Sequence, residues 1–252
     1  MTSIPIVALD VPTAREALAL ASELGDTCRF YKVGSELFVA EGPNVVRALR
    51  ELGADVFLDL KFHDIPNTVA GAVRSAAALG VRLLTVHASG GAAMLRAAQD
   101  AAGDRCGVLG VTVLTSFDAA GLASAWGREP VTIADEVLRL ASGARAAGLH
   151  GVVCSGAEAA AIAEAHPGLA LLVPGIRLAG GDAHDQHRVV TPAAAQASGA
   201  RYIVLGRAVT AAADRRGAMA QVLGELSGGI GGTAELDVCR GLASTYRPGY
   251  SK

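Results

Sequence analysis

The sequence predicts a closed (β/α)8 TIM barrel, and three observations predict it. Short apolar, β-branched runs recur eight times, Ala-, Leu- and Arg-rich segments with helical spacing separate them, and the unit repeats every ~25 to 40 residues. Each run is apolar throughout, as a parallel sheet covered on both faces requires. An open, doubly wound sheet is the rival. It favours a glycine fingerprint after its first strand, where this chain has Asp10-Val-Pro-Thr.

Taken in order, the strand candidates are Ile4 to Leu9, Phe30 to Val33, Val56 to Leu60, Leu83 to Val86, Val108 to Leu114, Gly151 to Cys154, Ala170 to Val173 and Tyr202 to Leu205. The helical segments are Thr13 to Leu24, Val45 to Leu52, Thr68 to Leu79, Ala92 to Ala101, Thr132 to Ala147, Ala157 to Ala165, Pro192 to Ala197 and Thr210 to Leu226. Pro12-Thr13 and Thr191-Pro192 supply start signals. Leu24-Gly25, Leu52-Gly53, Leu79-Gly80, Ala147-Gly148 and Ser198-Gly199 place glycine where a helix should end. The barrel is expected over residues 1–226. Residues 227–252 change texture to Ser-Gly-Gly-Ile-Gly-Gly-Thr and read as a loosely ordered tail, with one helical candidate from Ala234 to Leu242.

At 252 residues and 51% hydrophobic composition the chain can bury a large core. Its 22 basic and 24 acidic side chains nearly balance, which argues against a nucleic-acid or acidic-membrane surface and for small molecules or further copies of itself as partners. The N-terminal apolar run has no basic lead and is too short for a signal segment or membrane span, so a soluble, cytoplasmic protein is expected. Cys28, Cys106, Cys154 and Cys239 are scattered, without a C-x-x-C pair, so neither structural disulfides nor a thiolate zinc site is expected.

In a barrel of this kind the C-terminal strand ends and the loops after them build the site. The polar residues there are Asp10, Lys32, Asp59, Lys61, Asp64, His87, Thr115, Ser116, Ser155, Arg177 and Arg207. Asp59 and Lys61 stand two apart on one strand, so the period of two sends them to the same side, where they should meet. Asp10 and Lys32 lie at the same level on the preceding strands. Interleaved opposite charges compensate one another's burial, and a charged array in a water-poor barrel mouth points to electrostatic catalysis. A peripheral structural ion pair is the plainer alternative.

Pro174-Gly-Ile-Arg177 and Gly206-Arg207 follow the seventh and eighth strands, where this fold commonly holds phosphate, and arginine can grip phosphate oxygens bidentately. The long, glycine-containing loop from Leu178 to Val190 has the composition of a lid. His184 and His187 with Asp182 and Asp185 have no rigid element to orient them, so a metal site there is disfavoured. His63 and His87 are expected in hydrogen-bonding rather than catalytic roles, and Trp126 as packing near a helix start.

Phe57-Leu-Asp-Leu-Lys-Phe-His-Asp-Ile-Pro-Asn-Thr-Val69, with Ala8-Leu-Asp10, Tyr31-Lys-Val-Gly34, Thr112-Val-Leu-Thr-Ser116, Pro174-Gly-Ile-Arg177 and Gly206-Arg207, resembles the orotidine 5'-phosphate decarboxylase family, from about Ile4 to Glu225. The resemblance implies conversion of orotidine 5'-monophosphate to uridine 5'-monophosphate and CO2 in pyrimidine synthesis, without cofactor or metal, by a homodimer with its sites at the subunit interface. It implies Lys61 as proton donor to C6, Asp59 against the scissile carboxylate, and Lys32 bridging the aspartates and a ribose hydroxyl. It further implies Asp64 and Thr68, beside Ile65, reaching the neighbouring subunit's site, Asp10 on ribose, Thr115 and Ser116 on the pyrimidine edge, and Arg177, Gln186 and Arg207, with Pro174 and Gly206, at the phosphate.

A relative of another reaction class, the magnesium-dependent aldolase 3-hexulose-6-phosphate synthase, carries a similar Asp-x-Lys-x-x-Asp. The resemblance separates the two at Lys32, where those aldolases have glutamate, since a hard cation wants carboxylates rather than an ammonium. A sugar-phosphate sensor would keep Arg207 and have no need of Lys61.

Overall fold

The computed structural model describes residues 2–127, 132–178 and 190–228. Among these, eight parallel strands close into a barrel in chain order: β1 (Ile4–Ala8), β2 (Phe30–Gly34), β3 (Asp55–Phe62), β4 (Leu83–His87), β5 (Gly107–Val111), β6 (Gly151–Val153), β7 (Ala170–Val173) and β8 (Ala200–Leu205). Ile4 pairs with Tyr202 and Val7 with Leu205 where β8 returns to β1. The sequence expectation of a (β/α)8 barrel therefore holds.

The helices are α1 (Ala14–Leu24), α2 (Ser35–Glu41), α3 (Pro43–Glu51), α4 (Pro66–Ala78), α5 (Gly91–Ala102), α6 (Ala119–Trp126), α7 (Ile133–Ala146), α8 (Gly156–Ala165), α9 (Pro192–Ala197), α10 (Arg207–Thr210) and α11 (Arg215–Leu226). Thr13 and Thr191 cap α1 and α9 through their hydroxyls, and Gly25, Gly53, Gly80, Gly148 and Gly199 all have positive φ just past helix ends.

Four expectations change. The helix from Thr210 to Leu226 is two, because the Asp214 carboxylate accepts the Gly217 N–H and starts α11 afresh. The fifth strand stops at Val111 rather than Leu114, since Val113 and Leu114 turn to line a cavity at the barrel mouth. α2 and α6 fall where no helix was expected. Trp126 ends α6 instead of standing near a helix start, and Gly127 in the left-handed region caps it. The tail candidate Ala234 to Leu242 lies outside the described residues.

The strand parity sorts the core into two layers. Ile6, Ala8, Phe30, Phe57, Leu83, Leu109, Leu172, Tyr202 and Val204 fill the barrel, while Val7, Leu9, Tyr31, Val33, Val56, Leu58, Leu84 and Val86 pack under the helices. At the floor, Phe30 and Tyr202 meet edge to face at 6.3 Å, with Arg82 over Phe30 at 5.4 Å and Arg201 over Tyr202 at 5.7 Å. His150 Nε2 lies 3.2 Å from the Tyr202 hydroxyl. Arg82 and Arg50 both pair with Asp55, Arg50 at 3.0 Å. The barrel is thus stoppered at one end and open at the other.

Candidate active site

Inward parity on β3 runs Asp55, Phe57, Asp59, Lys61, and the last two reach the mouth. Lys61 Nζ donates to both Asp59 oxygens at 2.8 Å. Lys32, inward on β2, donates to Asp10 Oδ1 at 2.7 Å and stands 3.9 Å from Asp59 Oδ2. The four residues form one alternating chain, Asp10, Lys32, Asp59, Lys61. Asp59 and Lys32 are each 13% exposed, against 37% for Lys61 and 59% for Asp10, so the array deepens toward its centre. A Cβ on Gly34 would come within 2.9 Å of Lys32 Nζ, so a glycine there leaves the ammonium its place.

Alternation alone does not bring Asp59 and Lys61 together. Lys61 has φ +51°, the one non-glycine residue with positive φ among those described, a conformation that costs roughly 1–3 kcal/mol. The strain coincides with a break in register: β3 runs from Leu58 to Phe62 while β4 advances only from Leu84 to Val86. Lys61 N–H is carried out of the ladder and donates instead to Thr85 Oγ1 at 2.9 Å, and Thr85 Oγ1 donates to Asp59 Oδ1 at 3.0 Å.

Thr85 was missed because it interrupts an apolar strand with a small side chain. Its parity with Leu83 and His87, both inward on β4, is the signal that finds it. His87 packs 5.3 Å from His63, ring to ring, and its imidazole is held below the usual histidine range by burial first, then by His63 and Lys61.

Lys32, Asp59 and Lys61 share a cavity of about 190 Å³ with Phe57, Val111, Val113, Leu114, Thr115, Val153, Cys154, Leu172, Pro174 and Val204. One wall is charged and the rest is mostly apolar, an arrangement that strengthens electrostatic interactions with whatever enters. Thr115 lines the cavity from the loop after β5, whereas Ser116 is exposed and does not line it. Ser155 belongs elsewhere: its hydroxyl caps α8 and pairs with Glu158 in a capping box.

Asp64, Ile65 and Thr68 do not line the cavity of their own chain. The stretch from His63 to Thr68 is exposed, Ile65 by 66%, and Asp64 Oδ1 accepts the Ile65 N–H at 2.6 Å. Arg177 and Arg207 stand on the loops after β7 and β8, with Arg207 opening α10 directly after Gly206. Arg177 N–H donates to the Val190 carbonyl at 3.0 Å, and Ile176 bridges Val190, so the two bases of the loop are joined. Gln186 and the His184 and His187 group lie outside the described residues. Among those described, no three His, Cys, Asp or Glu side chains cluster as metal ligands would.

Comparison with known proteins matches residues 3–222 to the "Orotidine 5'-phosphate decarboxylase / HUMPS family". The chain is 51% identical over 230 residues to orotidine 5'-phosphate decarboxylase of Halorhodospira halophila, covering 88% of this chain and 95% of the relative. It is 48% identical over 226 residues to the enzyme of that name from Pseudomonas aeruginosa (strain LESB58), covering 88% and 96%. Among solved structures, orotidine 5'-phosphate decarboxylase from Lactobacillus acidophilus superposes with a TM-score of 0.80 at 36% identity, over 90% of this chain and 99% of that one. A closed barrel, an alternating Asp-Lys-Asp-Lys array at its mouth and a match over most of the chain lead to one conclusion: this chain belongs to the orotidine 5'-phosphate decarboxylase / HUMPS family.

Proposed function

We propose that this chain decarboxylates orotidine 5'-monophosphate to uridine 5'-monophosphate and CO2, the activity named for its relatives, as a step of pyrimidine synthesis, with Lys61 as the proton donor. The observation that carries the reading is the alternating array, with the Lys61 ammonium projecting from a strained backbone beside a mostly apolar cavity. When the C6–carboxylate bond breaks, CO2 leaves and the electron pair stays in an sp2 orbital at C6, out of conjugation with the ring. Stabilising that pair calls for a nearby cation that can also release a proton, and an ammonium does both. The proton moves from Lys61 Nζ to C6, a C–H bond forms, and the neutral amine recovers a proton from solvent.

Each tenfold in rate corresponds to about 1.4 kcal/mol of differential stabilisation, so a slow uncatalysed reaction asks for well over ~10 kcal/mol. One contact does not supply that. Binding energy from the phosphate, remote from C6, is the second source, with Arg177 and Arg207 as its holders. Asp59 stands against the substrate carboxylate, Lys32 and Asp10 meet the ribose, and Thr115 reads the pyrimidine edge from the cavity wall, with Ser116 beside it outside the cavity. Lys32 favours decarboxylation over metal-assisted aldol chemistry, because its ammonium lies between the two aspartates where a divalent cation would need oxygen ligands.

A second copy completes the site in this reading, with Asp64, Ile65 and Thr68 crossing to the partner's cavity. Their exposure around the start of α4 and their absence from their own cavity support it. No helix among the described residues is long and apolar enough to cross a membrane, and Cys28, Cys106 and Cys154 are buried outside any disulfide, as suits a cytoplasmic enzyme.

The test is direct: follow the absorbance of orotidine 5'-monophosphate with purified protein and a metal chelator. Turnover is expected. No turnover, or turnover only on adding magnesium, overturns the reading.

A further inference from the structure

We propose that Thr85 is a positioning residue for the decarboxylation: its hydroxyl ties the Lys61 backbone to the Asp59 carboxylate and so fixes the line along which Lys61 delivers its proton. The proposal rests on the roles given above to Lys61 and Asp59.

Thr85 is fully buried, and a buried hydroxyl is costly unless its donor and acceptor are used. Here both are, and in a fixed sense. Lys61 N–H occupies the acceptor side at 2.9 Å, so the hydroxyl proton is turned toward Asp59 Oδ1 at 3.0 Å. The two bonds reach across 24 and 26 residues of chain and close a ring through Lys61 Nζ, which donates to Asp59 Oδ1 as well as to Oδ2.

The backbone explains why such a tie is needed. With β3 out of register with β4 between Leu58 and Phe62, Lys61 N–H has no ladder carbonyl, and the residue sits in a left-handed conformation that L side chains rarely adopt. An unanchored lysine could relax that strain and swing its long side chain away from C6. Threonine prevents this by holding the residue at its amide and its partner at the carboxylate. Proton transfer is sensitive to such placement, since misplacement by ~1 Å can cost about a hundredfold in rate. Valine has the shape of threonine without the hydroxyl, and serine has the hydroxyl without the methyl.

The experiment compares steady-state decarboxylation of orotidine 5'-monophosphate by the full chain and by Thr85→Val, Thr85→Ser and Lys61→Ala, with thermal melting of each. Thr85→Val is expected to lower kcat about ten- to a hundredfold while KM stays within about threefold, and Thr85→Ser to keep kcat within about threefold of the parent. Wild-type kcat in Thr85→Val, or a loss in Thr85→Ser as large as in Thr85→Val, overturns the proposal. So does a KM that rises in step with the fall in kcat. If Thr85→Val does not fold, Thr85→Ala is read by the same criteria. An inactive Lys61→Ala beside a fully active Thr85→Val removes Thr85 alone from the mechanism, whereas an active Lys61→Ala overturns the Lys61 assignment and this proposal together.

Discussion

β3 carries charge at both ends of its inward face, and the two ends are built differently. At the floor, Asp55 takes Arg50 at 3.0 Å and Arg82 besides, and Arg82 and Arg201 lie over the rings of Phe30 and Tyr202. At the mouth, Asp59 takes Lys61 at 2.8 Å and Lys32 at 3.9 Å beside a cavity, and the backbone of Lys61 is left-handed. At the floor two arginines rest on aromatic rings and the backbone is ordinary; at the mouth the charges border open volume and the Lys61 backbone is strained. Strain is retained where surrounding structure over-determines it, and it collects at sites that do chemistry. The difference matches the division usual between the two faces of this fold, stability at the floor and chemistry at the mouth, and supports the proposed function.

Substitution at the mouth gives the largest expected effect. Lys61→Ala should lower kcat by at least ~10³-fold with little change in melting temperature, since a positioned proton donor alone is commonly worth 10²–10⁴-fold. Arg207→Ala should instead raise KM, about ten- to a hundredfold, because in the proposed function it removes a phosphate contact and leaves C6 untouched. Similar mild losses in both would dissolve the distinction between the proton donor and the phosphate grip.

The floor should answer in stability and not in turnover. Asp55→Ala leaves Arg50 and Arg82 without their shared carboxylate and, with these groups about a third exposed, should cost about 1 kcal/mol by chemical denaturation with kcat/KM unchanged. A fall in kcat/KM at intact fold would show that floor and mouth are coupled.

A last effect concerns acid. His150 on the floor has its imidazole pushed down to about 4 by burial first, then by Arg201 and Arg82. Its folded value lies below the unfolded one, near 6.5, so the unfolded chain binds the extra proton between those limits. Stability is therefore full above about pH 6.5, falls as the pH drops toward 4, and levels off below. The slope contributed by this one group approaches about 1.4 kcal/mol per pH unit. His87 at the mouth adds to the loss with the same sign. His150→Gln should flatten the dependence, measured by denaturation at several pH values; an unchanged slope would clear His150 of the acid sensitivity.

Much of this was legible in the residues. The glycines at positions 25, 53, 80, 148 and 199 announced helix ends because positive φ is cheap only without a Cβ, and each has it. The spacing of Asp59 and Lys61 announced their shared face. The break between α10 and α11 was hidden by the alanine run Ala211 to Ala213, a good helix former that leads straight to Asp214. Ser155 looked like a rim residue because a capping serine and a functional one occupy the same place after a strand. α2 was hidden because it follows β2 directly, without a loop to mark it.

The sequence by itself determined the strand and helix alternation, the parity that turns Asp59 and Lys32 toward the mouth, and the family. These are local properties, set by periods of two and 3.6 and by single residues at turns. Only the tertiary structure decided how β3 slips against β4, that Lys61 is left-handed, that Thr85 serves both Lys61 and Asp59, and that Arg82 and Arg201 come to lie on aromatic rings. Those outcomes depend on which strand stands beside which and at what register, and register is fixed by the packing of the whole barrel rather than by any one segment.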